Sequence, residues 1–448
     1  MEGIIITGIF KAYDIRGVYG ETIDEEIVYN IGRAYVLKFK PKKLTVGRDC
    51  RVSSPQLFDA LVKGITDEGC DVVDIGLVTT PMMYFSVWNF KYEGGLIISA
   101  SHNPPKYNGV KIVREDSIPI GGETGIYDIE KMIEKLPKEL AKKKGKVEQL
   151  DVFNPYLKHI LSYMDLGKLK KFNIAIDTAN GMAGPIAGEF FDEVNCEITH
   201  LFPVLDGTFP NHEANPLNEE NLIDLKEIVL KRKCDIGISF DGDADRCGFV
   251  DEKGQTVPSD FIVALVGKEI LKESKGAKIL YDVRCSRVVG EIIEQNGGKT
   301  GRCPVGHSLV KKVMRENNVK FAGELSSHFY LQDEHYAEAP FFVILKILQI
   351  MTEENKPLSE LVQPLKKYFQ SGEINSKVED KEAKMKELAE KFSDAKISWM
   401  DGITVEYDKW WFNVRPSNTE PYLRLNLEAE TKKMMEAKRD LVLEFING

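Results

Sequence analysis

Cysteine, histidine and tryptophan are scarce in this chain, at seven, seven and four of 448 residues. The cysteines (Cys50, Cys70, Cys196, Cys234, Cys247, Cys285 and Cys303) are scattered and odd in number, and form no C-x-x-C pair. That argues against a disulfide framework and predicts reduced thiols in a cytoplasmic compartment. An excess of positive charge is missing too. With 60 Lys and Arg against 70 Asp and Glu the net charge is -10, and no basic tract is long enough to reverse that field over a wide area. A general nucleic-acid or membrane-surface binder is thereby excluded. The densest basic stretch, "AKKKGK" at 141–146, reads as a solvated helix end. Long apolar runs are lacking as well: the longest, "APFFVILKILQIM" at 339–351, is interrupted by Lys346 and reads as a buried helix, too short to span a bilayer. The start, "MEGIIITGIF", has an acidic second residue and no small-residue cleavage site, so it is a poor signal peptide. An anionic substrate would have to be held by a local cluster of Arg and Lys acting within a Debye length of ~8 Å.

What is present is ordinary soluble composition, 43% hydrophobic and 29% charged, in a chain long enough for three to four domains. Short β-branched runs are followed by turns and then by charge-dotted helical segments. Examples are "KLTVGRD" then "SSPQLFDALVKGITDEG", "NIAIDTANG" then "MAGPIAGEFFDEV", and "KILYDVRCS" then "RVVGEIIEQNG". Strands alternating with helices predict an α/β fold with largely parallel sheets. The Lys/Glu-rich stretch "EKMIEKLPKELAKKKGKVEQLDVF" (130–153) reads as a surface helix and linker, "VDEKGQTVPSD" (250–260) as a hairpin-like turn leading into a helix, and "YFQSGEINSKVEDKEA" (368–383) as a third break. The expected domains are 1–148, 149–252, 253–368 and a C-terminal 369–448 that loses the strand-helix rhythm. Ligands in such folds sit beyond the carboxyl ends of strands.

One such loop is "DIGISFDGDADR", with Asp241, Asp243 and Asp245 spaced by two after an apolar strand. Three carboxylates this close repel one another unless a cation sits among them, and all-oxygen ligation suits a hard ion such as Mg²⁺ or Ca²⁺. An EF-hand is the rival: Glu252 falls at its twelfth position, but Arg246 stands where the sharp turn demands glycine, and the flanks look like strands. A solvated acidic turn is the other alternative, and a Mg²⁺ site is the favoured reading.

Another loop is "LIISASHNPPKYNGVKI" (96–112). Two prolines stiffen the chain around Ser101. A hydrolase triad is disfavoured, because no G-x-S-x-G elbow is present and His102, as immediate neighbour, is badly placed to take the serine proton. A serine bonded to its own turn remains open from residue chemistry alone.

Taken together, "SASHNPPKYNGVKI", "DGDADR", "GELSSH" (323–328) and "RPSNTEPYLRL" (415–425) resemble the four active-site loops of the α-D-phosphohexomutases, the phosphoglucomutase/phosphomannomutase group. "FKAYDIRG" (10–17), "GRDCRVSS" (47–54), "DTANG" (177–181) and "VGHS" (305–308) match in order, so the resemblance covers essentially the whole chain. It implies three related α/β domains and a smaller α+β C-terminal domain around a central cleft. It also implies phosphoryl transfer between O6 and O1 of a hexose, mannose or glucose, through a phosphoserine and a hexose 1,6-bisphosphate that also serves as activator. A phosphoglucosamine mutase of the same family is the alternative; a Mg²⁺-dependent sugar phosphatase and a sugar-phosphate-binding protein without turnover are the remoter ones.

Carried over by position, the phosphoserine is Ser101, whose phosphate would join Asp241, Asp243 and Asp245 in holding Mg²⁺, with Arg246 beside the same phosphoryl group. Lys111 is the candidate general acid/base, with its pKa expected to be pushed down by the metal and a neighbouring arginine. Tyr13 and Arg16 would line the same centre, and His328 is a second proton-transfer candidate. Glu324 and Ser326 would read two sugar hydroxyls; Leu325 stands where the glucosamine branch more often has Gln. Arg284, Gly306 and His307 match positions touching the sugar phosphate, although relatives often have Lys where Arg284 stands. Arg415, Ser417, Asn418 and Thr419 would grip the phosphate that does not react, with Arg424 nearby. The expected partners are phosphorylated hexoses, with neither nucleic acid nor membrane, in a monomer or homodimer. A small terminal domain on a linker would let the cleft open while the bisphosphate turns around.

Overall fold

The computed structural model describes residues 8–417 and 421–448. The chain forms two compact units, one running to Val257 and including Ser326–Ser359, the other made of Pro258–Leu325 and Glu360–Gly448.

The first unit holds two mixed sheets. The six-stranded one runs Ile15–Val18, Tyr107–Arg114, Gly94–Ile98, Lys43–Arg48, Asp71–Leu77, Val147–Gln149. It is parallel from Gly94–Ile98 onward, with the first two strands antiparallel. Helix Glu25–Phe39 starts where the Asp24 side chain accepts the Ile27 N–H, with Glu25 and Glu26 at the positive end of its dipole. It and helix Ser54–Asp67 bury Ile31, Leu57, Leu61 and Ile65 in one apolar cluster with Leu44, Val46 and Val72 of the sheet. The five-stranded sheet runs Thr256–Val257, Cys247–Asp251, Ile236–Phe240, Phe172–Asp177, Cys196–Leu201, parallel across its last three strands. Helix Pro340–Glu353 is the buried apolar run: the Phe341 ring lies 4.7 Å from Phe190 and 5.6 Å from Phe240. Lys346 is tolerated in it because its ammonium reaches Gln349 at 3.1 Å.

The stretch 130–153 departs from the expected surface helix and linker. Helix Tyr127–Ile133 ends early, "AKKKGK" is irregular, and Val147–Gln149 joins the sheet beside Asp71–Leu77. The cause is local pairing: the backbone N–H groups of Ala141 and Gly145 bond to the carbonyls of Asp67 and Thr66, and Lys144 pairs with Asp67 at 2.5 Å. The aspartate triplet joins two antiparallel strands, Ile236–Phe240 and Cys247–Asp251, so the helix-loop-helix of an EF-hand is ruled out.

In the second unit, strands Lys299–Cys303, Lys278–Asp282 and Phe321–Gly323 lie parallel, with helix Ser259–Glu273 preceding them in the chain and helices Arg287–Gln295 and His307–Asn317 between them. An antiparallel sheet follows, built on Tyr422–Ala429, Trp410–Pro416 and Ile403–Glu406, with helices Lys381–Lys391 and Lys432–Asn447. Hairpin-connected strands need no crossover helix, which is why the strand-helix rhythm stops here. This sheet is tied to the rest of its unit: Arg287 donates to the carbonyls of Asp408 (2.6 Å) and Tyr407 (3.1 Å), and Arg302 stacks over Trp411 at 4.1 Å. The α/β architecture expected from the sequence is what forms. All seven cysteines are free thiols, and among the described residues no helix is long and apolar enough to cross a membrane.

Candidate active site

The strand Gly94–Ile98 is wholly buried, and the chain leaves its carboxyl end to reach Ser101 with φ at 50°. A left-handed backbone is uncommon without glycine and needs support from its surroundings. Arg51 supplies it. Its guanidinium, 1% exposed, donates to the carbonyls of Ser101 (2.8 Å), Asn103 (2.6 Å), Pro104 (2.8 Å) and Tyr107 (3.0 Å), with Asp49 as counter-ion at 3.2 Å. Arg16, anchored on Asp14 at 2.8 Å, reaches Asn103 Oδ1 at 2.5 Å from the other side. Two arginines thus hold the serine loop, Arg51 by its backbone and Arg16 by the Asn103 side chain and the Ala100 carbonyl (3.3 Å).

The aspartate hairpin comes up against that loop. Ser101 Oγ donates to Asp241 Oδ2 at 2.7 Å. Gly242 makes the approach possible, since a Cβ there would lie 2.4 Å from the Ser101 carbonyl oxygen. Asp241 Oδ1 accepts the N–H groups of Asp245 (3.1 Å) and Arg246 (3.2 Å), which fixes the turn from within. Lys111, opposite Ile97 in the antiparallel strand Tyr107–Arg114, places its ammonium 2.5 Å from Asp243 Oδ2 and 2.6 Å from Asp245 Oδ2. Thr80 Oγ1 also donates to Asp243 Oδ2, at 2.6 Å.

Burial and then the Asp245 and Asp243 charges push the Asp241 carboxyl well above the usual carboxylate range. Burial acts the same way on Asp245, but Lys111 and His328 outweigh it and hold that carboxyl well below the range. For Lys111, burial favours the neutral amine, yet Asp243 and Asp245 outweigh it and raise the pKa. These carboxylates oppose the downward shift expected from a metal ion and an arginine, while Arg16 acts in the expected direction. The triplet fits a hard divalent ion: one oxygen from each aspartate lies within 4.8 Å of the others, and the buried Asp243 Oδ1 accepts no hydrogen bond among the described residues.

Arg246 and His328 face each other in an isolated antiparallel bridge. The Arg246 Nε–H points to His328 Nε2 at 3.2 Å, and His328 Nδ1 lies 3.1 Å from Ser326 Oγ. His328 Nε2 also lies 3.3 Å from Asp245 Oδ1, and buried Glu338 completes a second donor group with these two residues within 4.8 Å. His102, expected only to pack its loop, has Nδ1 3.2 Å from Ser101 Oγ. Burial, then Arg246 and Arg16, hold that imidazole well below its ordinary pKa, so it is neutral. Tyr13 is half-buried beside Asp14. The first unit therefore gathers Arg16, Ser101, Lys111, the three aspartates, Arg246, Ser326 and His328 around one point.

The second unit carries the remaining candidates. Arg284 is held by Asp282 through Nε (3.1 Å) and Nη2 (2.7 Å), and the same carboxylate accepts the Leu325 N–H at 2.8 Å. Gly306, with φ at 120°, turns its N–H to Glu324 Oε1 at 2.8 Å just ahead of His307, the first residue of its helix. Arg415 pairs with Glu373 at 2.9 Å and Arg424 with the same carboxylate at 3.4 Å, while Arg424 Nη2 reaches Ser417 Oγ at 3.3 Å. Burial raises the Glu373 carboxyl, but Arg415, Arg284 and Arg424 outweigh it and hold it low. The basic cluster demanded by the acidic net charge is here. Asn418 and Thr419 lie outside the described residues.

Sequence reasoning missed Arg51, Thr80, Gly242 and Glu373. For Thr80 a signal existed: "VTTP" follows the carboxyl end of strand Asp71–Leu77, where ligand-facing groups collect. For Glu373 none did, since it stands in the stretch read as a break.

Comparison with known proteins covers nearly the whole chain. The four phosphoglucomutase/phosphomannomutase domains match in order: alpha/beta/alpha domains I, II and III over 7–139, 154–254 and 258–368, and the C-terminal domain over 373–444. A phosphomannomutase of Methanocaldococcus jannaschii is 42% identical over 443 residues, covering 98% of this chain and 97% of its own. One from Escherichia coli K12 is 37% identical over 449 residues, covering 98% of each. A crystal structure of a phosphoglucomutase/phosphomannomutase family protein from Burkholderia thailandensis superposes with a TM-score of 0.88 at 34% identity, over 96% of this chain and 95% of that one. With every domain matched in sequence and fold, the chain belongs to the phosphoglucomutase/phosphomannomutase family.

Proposed function

We propose that this enzyme interconverts hexose 1-phosphate and hexose 6-phosphate, with mannose and glucose as the preferred sugars. Ser101 carries the phosphoryl group. In the first half-reaction the bond from phosphorus to Ser101 Oγ breaks and one to the free sugar hydroxyl forms, while the hydroxyl proton leaves to a base. The resulting hexose 1,6-bisphosphate reorients, and its other phosphate returns to Ser101. Free hexose 1,6-bisphosphate is the activator, because it can phosphorylate an empty serine.

The observation that carries this reading is the 2.7 Å contact between Ser101 Oγ and Asp241, one of three clustered carboxylates. A hydroxyl beside an aspartate triplet is poor at nucleophilic hydrolysis and suited to carrying a phosphate beside a cation. Asp241, Asp243 and Asp245 would hold Mg²⁺ with the serine phosphate, and the ion would supply electrostatic stabilisation of the transferring group. Arg16 and Arg246 are placed to hold phosphoryl oxygens. Lys111 and His328 are the groups proposed to move the proton of the attacking hydroxyl. Glu324 and Ser326 would read the sugar hydroxyls; Arg284, Gly306, His307, Arg415, Ser417, Asn418 and Thr419 would hold the distal phosphate, with Tyr13 lining the centre. We propose a monomer or homodimer acting on soluble sugar phosphates.

A coupled assay with glucose 1-phosphate, mannose 1-phosphate and glucosamine 1-phosphate, Mg²⁺ and a trace of bisphosphate tests this. Isomerised 6-phosphate from the first two is expected. Stoichiometric release of inorganic phosphate instead would overturn the mutase reading, and a preference for glucosamine 1-phosphate would overturn the sugar assignment.

A further inference from the structure

The aspartates of the triplet are not held alike. Asp241 is fixed by its own hairpin, through the N–H groups of residues 245 and 246. Asp243 is gripped from another part of the fold, the first turn of helix Thr80–Asn89. The Thr80 N–H donates to the Asp243 carbonyl at 3.0 Å, and Thr80 Oγ1 donates to Asp243 Oδ2 at 2.6 Å. The first N–H groups of a helix have no partner inside it, so Thr80 spends one of them, together with its hydroxyl, on a single residue 163 positions away. Its neighbour does a different job: Thr79 Oγ1 accepts the Met82 N–H at 3.1 Å and caps the helix.

The consequence lies in which oxygen is left. Thr80 and Lys111 both occupy Asp243 Oδ2, at 2.6 and 2.5 Å. Oδ1, in a side chain with no exposed surface, accepts no hydrogen bond among the described residues. Thr80 therefore helps hold the carboxylate so that one oxygen is satisfied by protein and the other is left without a protein donor among the described residues. A hydroxyl oriented by a helix start is a rigid partner, and such outer partners set how well a ligand is presented to its metal. Thr80 is itself fully buried, so bulk solvent does not compete with its hydroxyl for the carboxylate.

We propose that Thr80 is a positioning residue for the divalent-cation site, presenting Asp243 Oδ1 to the ion and locking the aspartate hairpin against the helix Thr80–Asn89. This rests on the assignment of the triplet as a cation site, and its test does not depend on mutase turnover. Mn²⁺ affinity is measured on the intact protein from the electron-paramagnetic-resonance signal of free Mn²⁺, for wild type, Thr80→Val, Thr80→Ala, Thr80→Ser and Thr79→Val.

Thr80→Val and Thr80→Ala are expected to raise the Mn²⁺ Kd about 10- to 100-fold, and Thr80→Ser to stay within about 3-fold of wild type. Turnover of Thr80→Ala should be restored by excess Mg²⁺, because the aspartate is still present. Thr79→Val should lower the melting temperature without moving the Mn²⁺ Kd. If Thr80→Val does not fold, the Ala and Ser variants decide. An unchanged Kd in Thr80→Ala overturns the proposal, and so does an equal loss in Thr80→Ser, which would assign the effect to the methyl group's packing. Wild-type protein that binds Mn²⁺ but turns over no hexose phosphate would sink the mutase reading and leave this one standing.

Discussion

The loops around Ser101 and the loops around Arg415 are both dense in charge, but they are built in opposite ways. Around Ser101 the charged groups are buried, or in the case of Arg16 mostly so, and each is answered by a neighbour fixed in the same unit: Arg51 by Asp49, Arg16 by Asp14, Lys111 by Asp243 and Asp245. Charges held this way cannot relax when a phosphoryl group changes its bonds, which is what electrostatic stabilisation of a transition state requires. Around Arg415 one partly exposed carboxylate, Glu373, serves Arg415 and Arg424 together. Under the proposed function an arriving phosphate would take those arginines over. One region would then react and the other exchange anions, and substitutions in the two should fail in different ways.

The sharpest break is Ser101→Ala. Turnover should fall by about four orders of magnitude or more, while calorimetric binding of sugar phosphate stays within a few-fold, because the arginines of the second unit are untouched. Equal loss of both would erase the distinction between the regions. Gly242→Ala comes next. Its Cβ would need to sit 2.4 Å from the Ser101 carbonyl oxygen, so the aspartate hairpin must retreat, and a shift of ~1 Å at a reacting centre costs about 10²-fold. The loss should appear in kcat with KM nearly unchanged.

How much of this was legible beforehand follows the same division. The α/β class was readable because strand and helix periods alternate for most of the chain, and Asp241, Asp243 and Asp245 were readable because three carboxylates at a strand end have few other uses. Ser101 was not readable from its own chemistry; it needed the family likeness, and its left-handed backbone has no sequence signal, since that strain is imposed by Arg51 from 50 residues away. That Lys111 pairs with two carboxylates was not readable for a related reason. Its register opposite Ile97 aims it at two carboxylates, and pairing between distant strands is invisible to local reading. The lysines of the stretch 130–153 do face solvent, Lys144 included; the strand Val147–Gln149 within it was not readable because it pairs with a segment about 75 residues away.

Asp67 gives a control, a buried carboxylate with cationic partners but away from the reaction centre. Tyr29 donates to it at 2.9 Å, and Lys63 and Lys144 pair with it at 2.8 and 2.5 Å. Burial alone would raise its pKa, but these partners bring it down to about 2. A carboxyl depressed in the folded state stabilises the fold fully above its unfolded pKa of ~3.9 and loses that contribution as pH falls through about 2. Both lysines are largely exposed, so the expected share is about 1–2 kcal/mol. Asp67→Asn should therefore weaken urea resistance at pH 7 by that amount, flatten its loss between pH 4 and 2, and leave kcat and Mn²⁺ affinity alone. A kinetic defect would mean that buried charge anywhere in the first unit, and not the arrangement at Ser101, governs turnover.

The smallest effect tests the exchange side of the comparison. Glu373→Gln keeps a hydrogen-bond acceptor for Arg415 and Arg424 but removes the negative charge that competes with an incoming phosphate. Since Arg415, Arg284 and Arg424 all act to hold that carboxyl ionised, its charge is fully present at neutral pH, and a like charge beside a phosphate opposes binding. KM for hexose 1-phosphate should fall by about 3- to 10-fold, or about 0.7–1.4 kcal/mol, with kcat changed less than KM. A rise in KM would show that Glu373 orients the two arginines and does not compete for them, and the second region would then be as pre-organised as the first.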